Sequence, residues 1–252
     1  MKQKQTHHIL HTPVLAGEVL TVLRPQPGES YLDLTAGYGG HAGMVLELTG
    51  AYAESALCDR DQEAIDYVSE RFQGTGIRTI KETFSEACDV LLSEGKTFDL
   101  ILADLGVSSP HLDKANRGFS ILRDGPLDMR MDQTRGRTAE ELINSASEAE
   151  METILRVYGE EPKAKKIAKA IVEHRPFKTT GELADCIKHA YAVRTAHHPA
   201  VRSFQALRIA VNDELALLSD MLPKAVKLLN KKGRLGIITF HSLEDRIVKQ
   251  YF

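Results

Sequence analysis

The chain has 252 residues, of which 42% are hydrophobic and 27% are charged, and its net charge is −3. These proportions are those of a globular protein. They exclude a disordered chain, which lacks the apolar surface needed to offset the entropy of ordering. The small net charge also argues against a protein that coats nucleic acid without specificity, because such binding needs a large basic excess.

The lengths of the apolar runs and the number of cysteines indicate the compartment in which the protein works. The longest apolar runs, such as 235–240, are far shorter than the ~20 residues that span a bilayer. No apolar stretch follows the basic N-terminus, as it would in a signal peptide. The three cysteines, Cys58, Cys88 and Cys186, fit a reduced cytoplasm and form neither a disulfide framework nor a CxxC zinc motif. We therefore expect a cytoplasmic protein without a membrane span.

Strand and helix patterns alternate over the N-terminal part of the chain. Short apolar runs predict strands, and the segments between them have helical periodicity. The strands are expected at 31–35, 55–58, 77–80 and 98–103, and the helices at 41–49, 62–72 and 85–93. This alternation is typical of an α/β fold with a parallel sheet built from βαβ units. The nearly continuous apolar strands indicate a sheet that is covered on both faces.

The pattern changes between residues 110 and 205, where no strand signal is found. Apolar residues three and four positions apart predict helices at 138–145, 148–174 with a bend or a split at Pro162, 180–193 and 204–218. We therefore predict a discontinuous α/β domain, 1–108 and 206–252. Residues 109–205 would form an inserted helical domain that recognises the substrate.

The strand signal returns near the C-terminus. Pro223 is suited to the first position of a helix, residues 230–233 resemble a turn, and 234–240 has the pattern of a buried strand. Ser242 is expected to cap a last helix.

A glycine-rich turn joins the first strand to the first helix, in the segment Asp33-Leu-Thr-Ala-Gly37-Tyr-Gly39-Gly40-His41. Glycines let a ligand approach the backbone closely, and a helix N-terminus favours electron-rich groups. Asp59, at the end of the second strand, can accept hydrogen bonds from both hydroxyls of a ribose. The pair predicts an adenosine-type cofactor, although the turn departs from GxGxxG. NAD and S-adenosylmethionine both remain open, as does an ordinary strand-to-helix turn.

Two further polar residues follow predicted strands. Asp104 ends the fourth strand, and His241 follows 234–240. Ligands of open α/β sheets bind outside the carboxyl ends of the strands, near the point where the strand order reverses. Asp104 is suited to orient the amino group of a base, and His241 to act as a general base. Capping and solvated strand-end roles remain the alternatives. We predict no metal site, because His7, His8 and His11 lack acidic neighbours.

Seven further motifs occur in chain order. They are His11-Thr-Pro-Val-Leu15, Gly39-Gly-His41, Asp104-Leu-Gly-Val-Ser-Ser-Pro110, Arg117-Gly-Phe-Ser120, Asp124-Gly-Pro-Leu-Asp-Met-Arg-Met-Asp132, Phe204-Gln-Ala-Leu-Arg-Ile-Ala-Val-Asn212 and Phe240-His-Ser-Leu-Glu-Asp-Arg246. Together they resemble the RsmH (MraW) family of bacterial small-subunit rRNA cytosine-N4 methyltransferases. The resemblance extends from about residue 8 to the last residue. It implies a class I S-adenosylmethionine-dependent methyltransferase fold with an inserted helical domain.

The same resemblance implies a reaction and a partner. The cofactor would be S-adenosylmethionine, and the substrate a cytidine of 16S rRNA (position 1402) in the decoding centre, methylated within the 30S subunit. A homodimer is left open. Family members continue past Phe252 with the last strands of the sheet, so 234–240 is expected to form an edge strand, which is prone to pair with other chains.

The resemblance also implies roles for individual residues. Gly39, Gly40 and His41 would cradle the methionine part of the cofactor, Asp59 would hold the ribose, and Phe84 would pack on the adenine. Asp104 and His111 would complete the pocket, although the family more often has Gln at the position of His111. Asp104 and His241 are the predicted catalytic residues.

A cluster of arginines suggests where RNA binds. Arginine grips phosphates through two hydrogen bonds, and five arginines lie close together in a glycine-containing segment: Arg117, Arg123, Arg130, Arg135 and Arg137. We predict from this proximity that they contact RNA.

Three other classes of protein share part of this pattern. A nicotinamide-dependent dehydrogenase would have a complete GxGxxG. An assembly factor would bind the cofactor and the 30S subunit without catalysis. A DNA amino-methyltransferase normally carries a Pro-Pro pair after the acid of the fourth strand, and that pair is absent here.

Overall fold

The computed structural model describes residues 13–191 and 198–252. Over these residues the chain forms two compact units. The α/β unit comprises Met1–Gly106 and Ala216–Phe252, and the helical unit comprises Val107–Leu215. The helical unit ends at Leu215, ten residues beyond the predicted end of the insert at residue 205. The reason is that residues 201–212 form a helix whose Phe204 and Leu207 are part of the helical unit's own core.

The α/β unit is built on a parallel sheet. Its strands are β1 (Tyr31–Asp33), β2 (Ala56–Asp59), β3 (Arg78–Lys81), β4 (Phe98–Asp104) and β5 (Leu229–Ile238), in the order β3-β2-β1-β4-β5. Its N-terminal helices are α1 (Ala16–Leu23), α2 (Gly40–Thr49), α3 (Gln62–Arg71) and α4 (Phe84–Ser93). The predicted α/β class with a parallel sheet is confirmed.

Both faces of this sheet are buried, as the continuous apolar strands predicted. Alternate residues of a strand point to opposite faces. Accordingly, Leu100 and Leu102 of β4 belong to one core cluster, whereas Ile101 and Ala103 belong to the other. The first cluster contains residues of α1, α2 and α3, and the second contains residues of α4.

The helical unit contains a second core, formed without strand pairing beyond one isolated bridge among the described residues. Its elements are α5 (Ser109–Asp113), a 3-10 turn (Ala115–Arg117), α6 (Ala139–Ser145), α7 (Glu148–Gly159), α8 (Ala164–Glu173), α9 (Thr180–Tyr191) and α10 (Val201–Asn212). Thr138 caps α6 through a capping box with Glu141, as predicted. The predicted 148–174 helix is split around Pro162, and the predicted end of 180–193 lies outside the described residues.

Two predicted helix boundaries were wrong. The 204–218 pattern is interrupted at Asp213, whose φ of 51° lies in the left-handed region and ends α10. A new helix, α11 (Glu214–Leu228), then runs through Pro223 instead of beginning there. Periodicity continues across the break because apolar residues on both sides are buried, so the pattern did not reveal the break.

The C-terminal strand and helix also differ in detail from the prediction. β5 is an edge strand of the sheet, as expected. Residues 230–233 form a register shift inside it, with Lys232 at φ 71°. The last helix, α12 (Ser242–Tyr251), is capped by His241, whose ring accepts a hydrogen bond from the Glu244 N–H. None of the helices in the described ranges is long and apolar enough to cross a membrane.

Asn212 fixes an irregular segment of the helical unit. Its buried side chain accepts a hydrogen bond from the Met131 N–H (2.8 Å) and donates one to the Met129 carbonyl (2.7 Å). Loss of both would leave buried backbone groups unpaired, at about 1–3 kcal/mol each. We expect Asn212→Ala to lower the free energy of unfolding by about 3 kcal/mol, measured by urea denaturation. Gln133→Ala, at an exposed residue of the same segment, is the control. Equal losses in both variants would contradict this prediction.

Candidate cofactor and catalytic site

Residues predicted to be functional are found at one edge of the sheet in the α/β unit. The glycine-rich turn follows β1, Asp59 ends β2, Phe84 follows β3, Asp104 ends β4 and His241 follows β5. All five strands are parallel, so these positions are at their carboxyl ends. The strand order reverses between β1 and β4, and this is where open α/β sheets bind ligands.

The turn after β1 requires glycine at position 39. Gly39 has a φ of 73°, and a Cβ atom there would lie 3.0 Å from the Phe72 ring and 3.2 Å from Val68. A side chain would therefore be strained by both the backbone conformation and the packing. Helix α2 begins at the next residue without a side-chain cap. Its first N–H groups have no partner within the helix, and they form a site for electron-rich groups.

His41 and Asp104 place unpaired polar atoms beside this turn. The imidazole of His41 is only 7% exposed, and its Nε2 is 3.5 Å from Asp104 Oδ2, longer than a usual hydrogen bond. Among the residues that the structure describes, neither ring nitrogen has a hydrogen-bond partner, and neither does Asp104 Oδ1. Buried polar groups are nearly always paired in a complete structure. These atoms therefore fit the polar groups of a ligand.

A second carboxyl group, that of Asp33, lies deeper in the strand. It accepts hydrogen bonds from the Tyr31 hydroxyl (2.8 Å) and the Thr35 N–H (3.1 Å). Burial raises its pKa to about 6, and the hydrogen bond from Tyr31 only partly opposes that shift. Asp33 belongs to the glycine-rich motif, but the sequence predicted no role for it. Its position inside an apolar strand was the available signal.

Asp33 is expected to make stability depend on pH. The pKa is about 6 in the folded protein, against an ordinary value of 3.8, so the folded state holds the proton more tightly. Stability should therefore fall as pH rises from about 4 to about 6 and stay level above. The free energy of unfolding should fall by about 3 kcal/mol in total. Asp33→Asn keeps a hydrogen-bonding group without titrating.

Urea denaturation between pH 4 and pH 7 tests this expectation. The stability of Asp33→Asn relative to the wild type should increase by about 3 kcal/mol across the range. Asp66→Asn, an exposed substitution in α3, is the control. If the free energy of unfolding had the same pH dependence in Asp33→Asn and in the wild type, the raised pKa of Asp33 would be ruled out.

Asp59 is held rigidly at the end of β2. Its Oδ2 accepts the Gly37 N–H (2.8 Å) and its Oδ1 accepts the Asp61 N–H (2.9 Å). These two backbone groups fix the plane of the carboxylate and connect it to the glycine-rich turn. Each carboxylate oxygen has two lone pairs, so this arrangement suits a group that also accepts from a diol.

Phe84 and His241 lie at the same edge of the sheet but have different surroundings. Phe84 is half-buried and starts α4, immediately after a capping box between Thr83 and Glu86. The ring of His241 caps α12, and its Nε2 is 3.3 Å from Glu244 Oε1. These contacts give His241 a structural role at the helix N-terminus. Its predicted action as a general base stays a prediction.

His111 belongs to the helical unit. It is buried in α5, its Nδ1 accepts the Ser108 N–H (3.2 Å), and its ring centroid is 5.0 Å from that of Phe119. Its predicted contact with the cofactor stays a prediction.

The predicted RNA-binding arginines are not equivalent. Arg117 is only 2% exposed, and its guanidinium donates to the carbonyls of Arg130 and Met131. These contacts give Arg117 a structural role, and its predicted RNA contact stays a prediction. The other four pair with carboxylates, namely Arg123 with Asp113, Arg130 with Asp128, Arg135 with Asp132 and Arg137 with Glu150. The Arg130–Asp128 pair is mostly buried, whereas Arg123, Arg135 and Arg137 are about half exposed. Exposed ion pairs are weak, and RNA contact by these arginines stays a prediction.

The parallel sheet, the glycine turn after β1 and the acids that end β2 and β4 define a class I S-adenosylmethionine-dependent methyltransferase fold. The profile of the MraW methylase family matches residues 8–252. The chain belongs to this family, and the predicted resemblance is confirmed.

Two proteins that share one name agree with this assignment. "Ribosomal RNA small subunit methyltransferase H" of Coprothermobacter proteolyticus is 45% identical over 254 residues, which cover 98% of this chain and 84% of that protein. The protein of the same name from Heliobacterium modesticaldum is 46% identical over 252 residues, covering 96% and 80%. A solved "SAM Dependent Methyltransferase from Agrobacterium tumefaciens" is 26% identical, with a TM-score of 0.27, over 36% of this chain and 29% of that one.

Proposed function

We propose that this protein transfers a methyl group from S-adenosylmethionine to the N4 amine of a cytidine in small-subunit rRNA. Family membership and the names of the relatives support an rRNA substrate. The RsmH resemblance adds the cytidine at position 1402 of 16S rRNA. The observation that carries the proposal is the set of buried, unpaired polar atoms of His41 and Asp104 beside the glycine turn.

The residues present fit S-adenosylmethionine. The turn at Gly39 and Gly40 would take the methionine part, together with the nitrogens of His41. Asp59 would accept the ribose hydroxyls, and Phe84 would pack on the adenine. Once bound, the cofactor supplies a methyl group that its sulfonium already activates. The protein's task is then to position the amine and to accept its proton.

Asp104 is suited to that task. The lone pair of a cytosine amine is delocalised into the ring, so the amine is a weak nucleophile. A carboxylate that accepts one N–H increases the electron density on the nitrogen and orients it. His41, 3.5 Å away, would stabilise the charge on that carboxylate. A preorganised group of this kind needs no rearrangement during the reaction.

The helical unit would contact the rRNA within the 30S subunit. Arg123, Arg135 and Arg137 are about half exposed, and each forms an ion pair that a phosphate could replace. Their contribution to RNA binding should decline as salt concentration rises. A substrate of this kind would place the protein in the cytoplasm.

Methyl transfer to ribosomal subunits tests the function. The protein should transfer tritium from labelled S-adenosylmethionine to 30S subunits from cells that lack this modification, and nucleoside digestion should yield N4-methylated cytidine. Subunits from wild-type cells should accept little label. Binding of cofactor and 30S without transfer would instead identify an assembly factor. Binding of NADH, seen by fluorescence titration, would favour a dehydrogenase.

A further inference from the structure

We propose that Arg71 is a positioning residue that holds the glycine turn in its cofactor-binding conformation, and that position 43 is glycine in order to admit the Arg71 guanidinium. The inference rests on the proposed function in one respect, namely that the cofactor is S-adenosylmethionine. Neither residue belongs to the motifs that carry the family resemblance.

Arg71 binds the corner of the turn directly. Its Nη1 donates hydrogen bonds to the carbonyls of Tyr38 (2.9 Å) and Gly39 (2.8 Å). In a trans peptide the carbonyl and the N–H point in opposite directions. Arg71 therefore fixes the peptide that carries the Gly39 N–H. It also reinforces the peptide that carries the Gly40 N–H, whose carbonyl accepts the Gly43 N–H as well (2.9 Å). The Gly39 N–H is already bonded to the Ala36 carbonyl (2.8 Å), whereas Gly40 begins α2, where N–H groups have no intrahelical partner.

A second contact from α3 supports the same corner. Tyr67 is four residues before Arg71 and so lies on the same helix face. Its ring centroid is 5.1 Å from that of Tyr38. One face of α3 thus holds the turn through a ring contact and two charge-assisted hydrogen bonds, which are stronger than neutral ones.

Gly43 provides the space that Arg71 occupies. A Cβ atom at position 43 would lie 2.4 Å from Nη2 and 3.3 Å from Cζ of Arg71. Gly43 is buried within α2, and glycine is a poor residue for a helix interior. Glycine at position 43 therefore does not stabilise α2. It leaves the space through which the Arg71 guanidinium reaches the two carbonyls.

The charge of Arg71 is better explained by ligand binding than by stability. A cation near the N-terminus of a helix is opposed by the positive end of the helix dipole. The same positive potential favours a carboxylate, such as that of the methionine part of S-adenosylmethionine. Arg71 would thus fix the turn and also attract the carboxylate that binds there.

Gly43→Ala separates this role from a structural one. The three nearest atoms to the new methyl group belong to the flexible end of Arg71, and alanine favours helix. The melting temperature should stay level or rise. The Kd for S-adenosylmethionine, measured by calorimetry, should rise about tenfold, the loss of roughly one charge-assisted hydrogen bond. Gly17→Ala, at a helical glycine whose Cβ position meets none of the described residues within 4 Å, is the matched control and should change neither value.

Arg71 itself provides a second, independent test. Arg71→Met should raise the Kd and the KM for the cofactor about tenfold, with kcat at saturating cofactor nearly unchanged. Arg71→Lys should recover part of the affinity, because lysine can still donate to a carbonyl. In the Arg71→Met background, Gly43→Ala should have no further effect, because the guanidinium that it displaces is gone.

The outcomes distinguish the two proposals. If the wild type fails to bind S-adenosylmethionine, the proposed function is refuted. If the wild type binds it and both Gly43→Ala and Arg71→Met bind equally well, the role of Arg71 is refuted. If Gly43→Ala melts early, the Kd of folded Arg71→Met decides the question in the same way.

Discussion

Asp104→Asn is expected to reduce methyl transfer by about a hundredfold or more at saturating cofactor, the usual range for a lost acid–base group. Asparagine has nearly the same shape, but its amide cannot accept a proton or carry the charge that draws an N–H from the substrate. The backbone position should survive, because the Asp104 N–H, not its side chain, donates to Thr35 Oγ1 (2.6 Å). The loss should therefore appear in kcat.

Single-turnover transfer to 30S subunits, with cofactor affinity measured separately by calorimetry, checks this expectation. Asp66→Asn, exposed in α3, serves as the control for a change of charge in the same unit. If Asp104→Asn retained near-normal single-turnover rates, Asp104 would not orient or deprotonate the amine. A loss confined to cofactor binding would restrict Asp104 to the pocket.

The sheet could be predicted because its signal is local. Each strand is a short apolar run that ends in a turn or a carboxylate, and two-sided burial requires such runs. The positions of Asp59 and Asp104 followed, because parallel strands place their carboxyl ends at one edge. Candidate site residues that lie at strand ends can therefore be located from sequence alone.

The boundaries of the helices were harder to predict from the sequence. Asp213 interrupts a continuous apolar pattern with a single left-handed residue. Pro223 lies inside α11, although proline usually breaks a helix interior. Both outcomes depend on tertiary packing, which outweighs local propensity.

Several site features depend on contacts between distant parts of the chain, so the sequence could not reveal them. Arg117 resembles its exposed neighbours in sequence, but its guanidinium is buried against backbone carbonyls. Arg71 reaches the glycine turn from 32 residues away in sequence. The raised pKa of Asp33 needs the complete burial that only the folded sheet provides.

Asp59→Ala is expected to weaken S-adenosylmethionine binding about a hundredfold, since two hydrogen bonds to a charged group contribute roughly 3 kcal/mol together. The chemical step should change much less, because Asp59 ends β2 and the reacting methyl group is assigned to the end of β4. Calorimetry gives the Kd, and kcat at saturating cofactor gives the step. Glu63→Ala, which removes an exposed acid in the first turn of α3, is the control.

Part of the loss at Asp59 could come from the turn, because Oδ2 also accepts the Gly37 N–H. Asp59→Asn separates the two contributions. Its amide oxygen can still accept one backbone N–H, but it cannot accept both ribose hydroxyls as a carboxylate does. If the ribose is the partner, Asp59→Asn should bind almost as weakly as Asp59→Ala. If Asp59→Asn binds like the wild type, Asp59 only supports the turn, and unchanged affinity in both variants would remove Asp59 from the cofactor site.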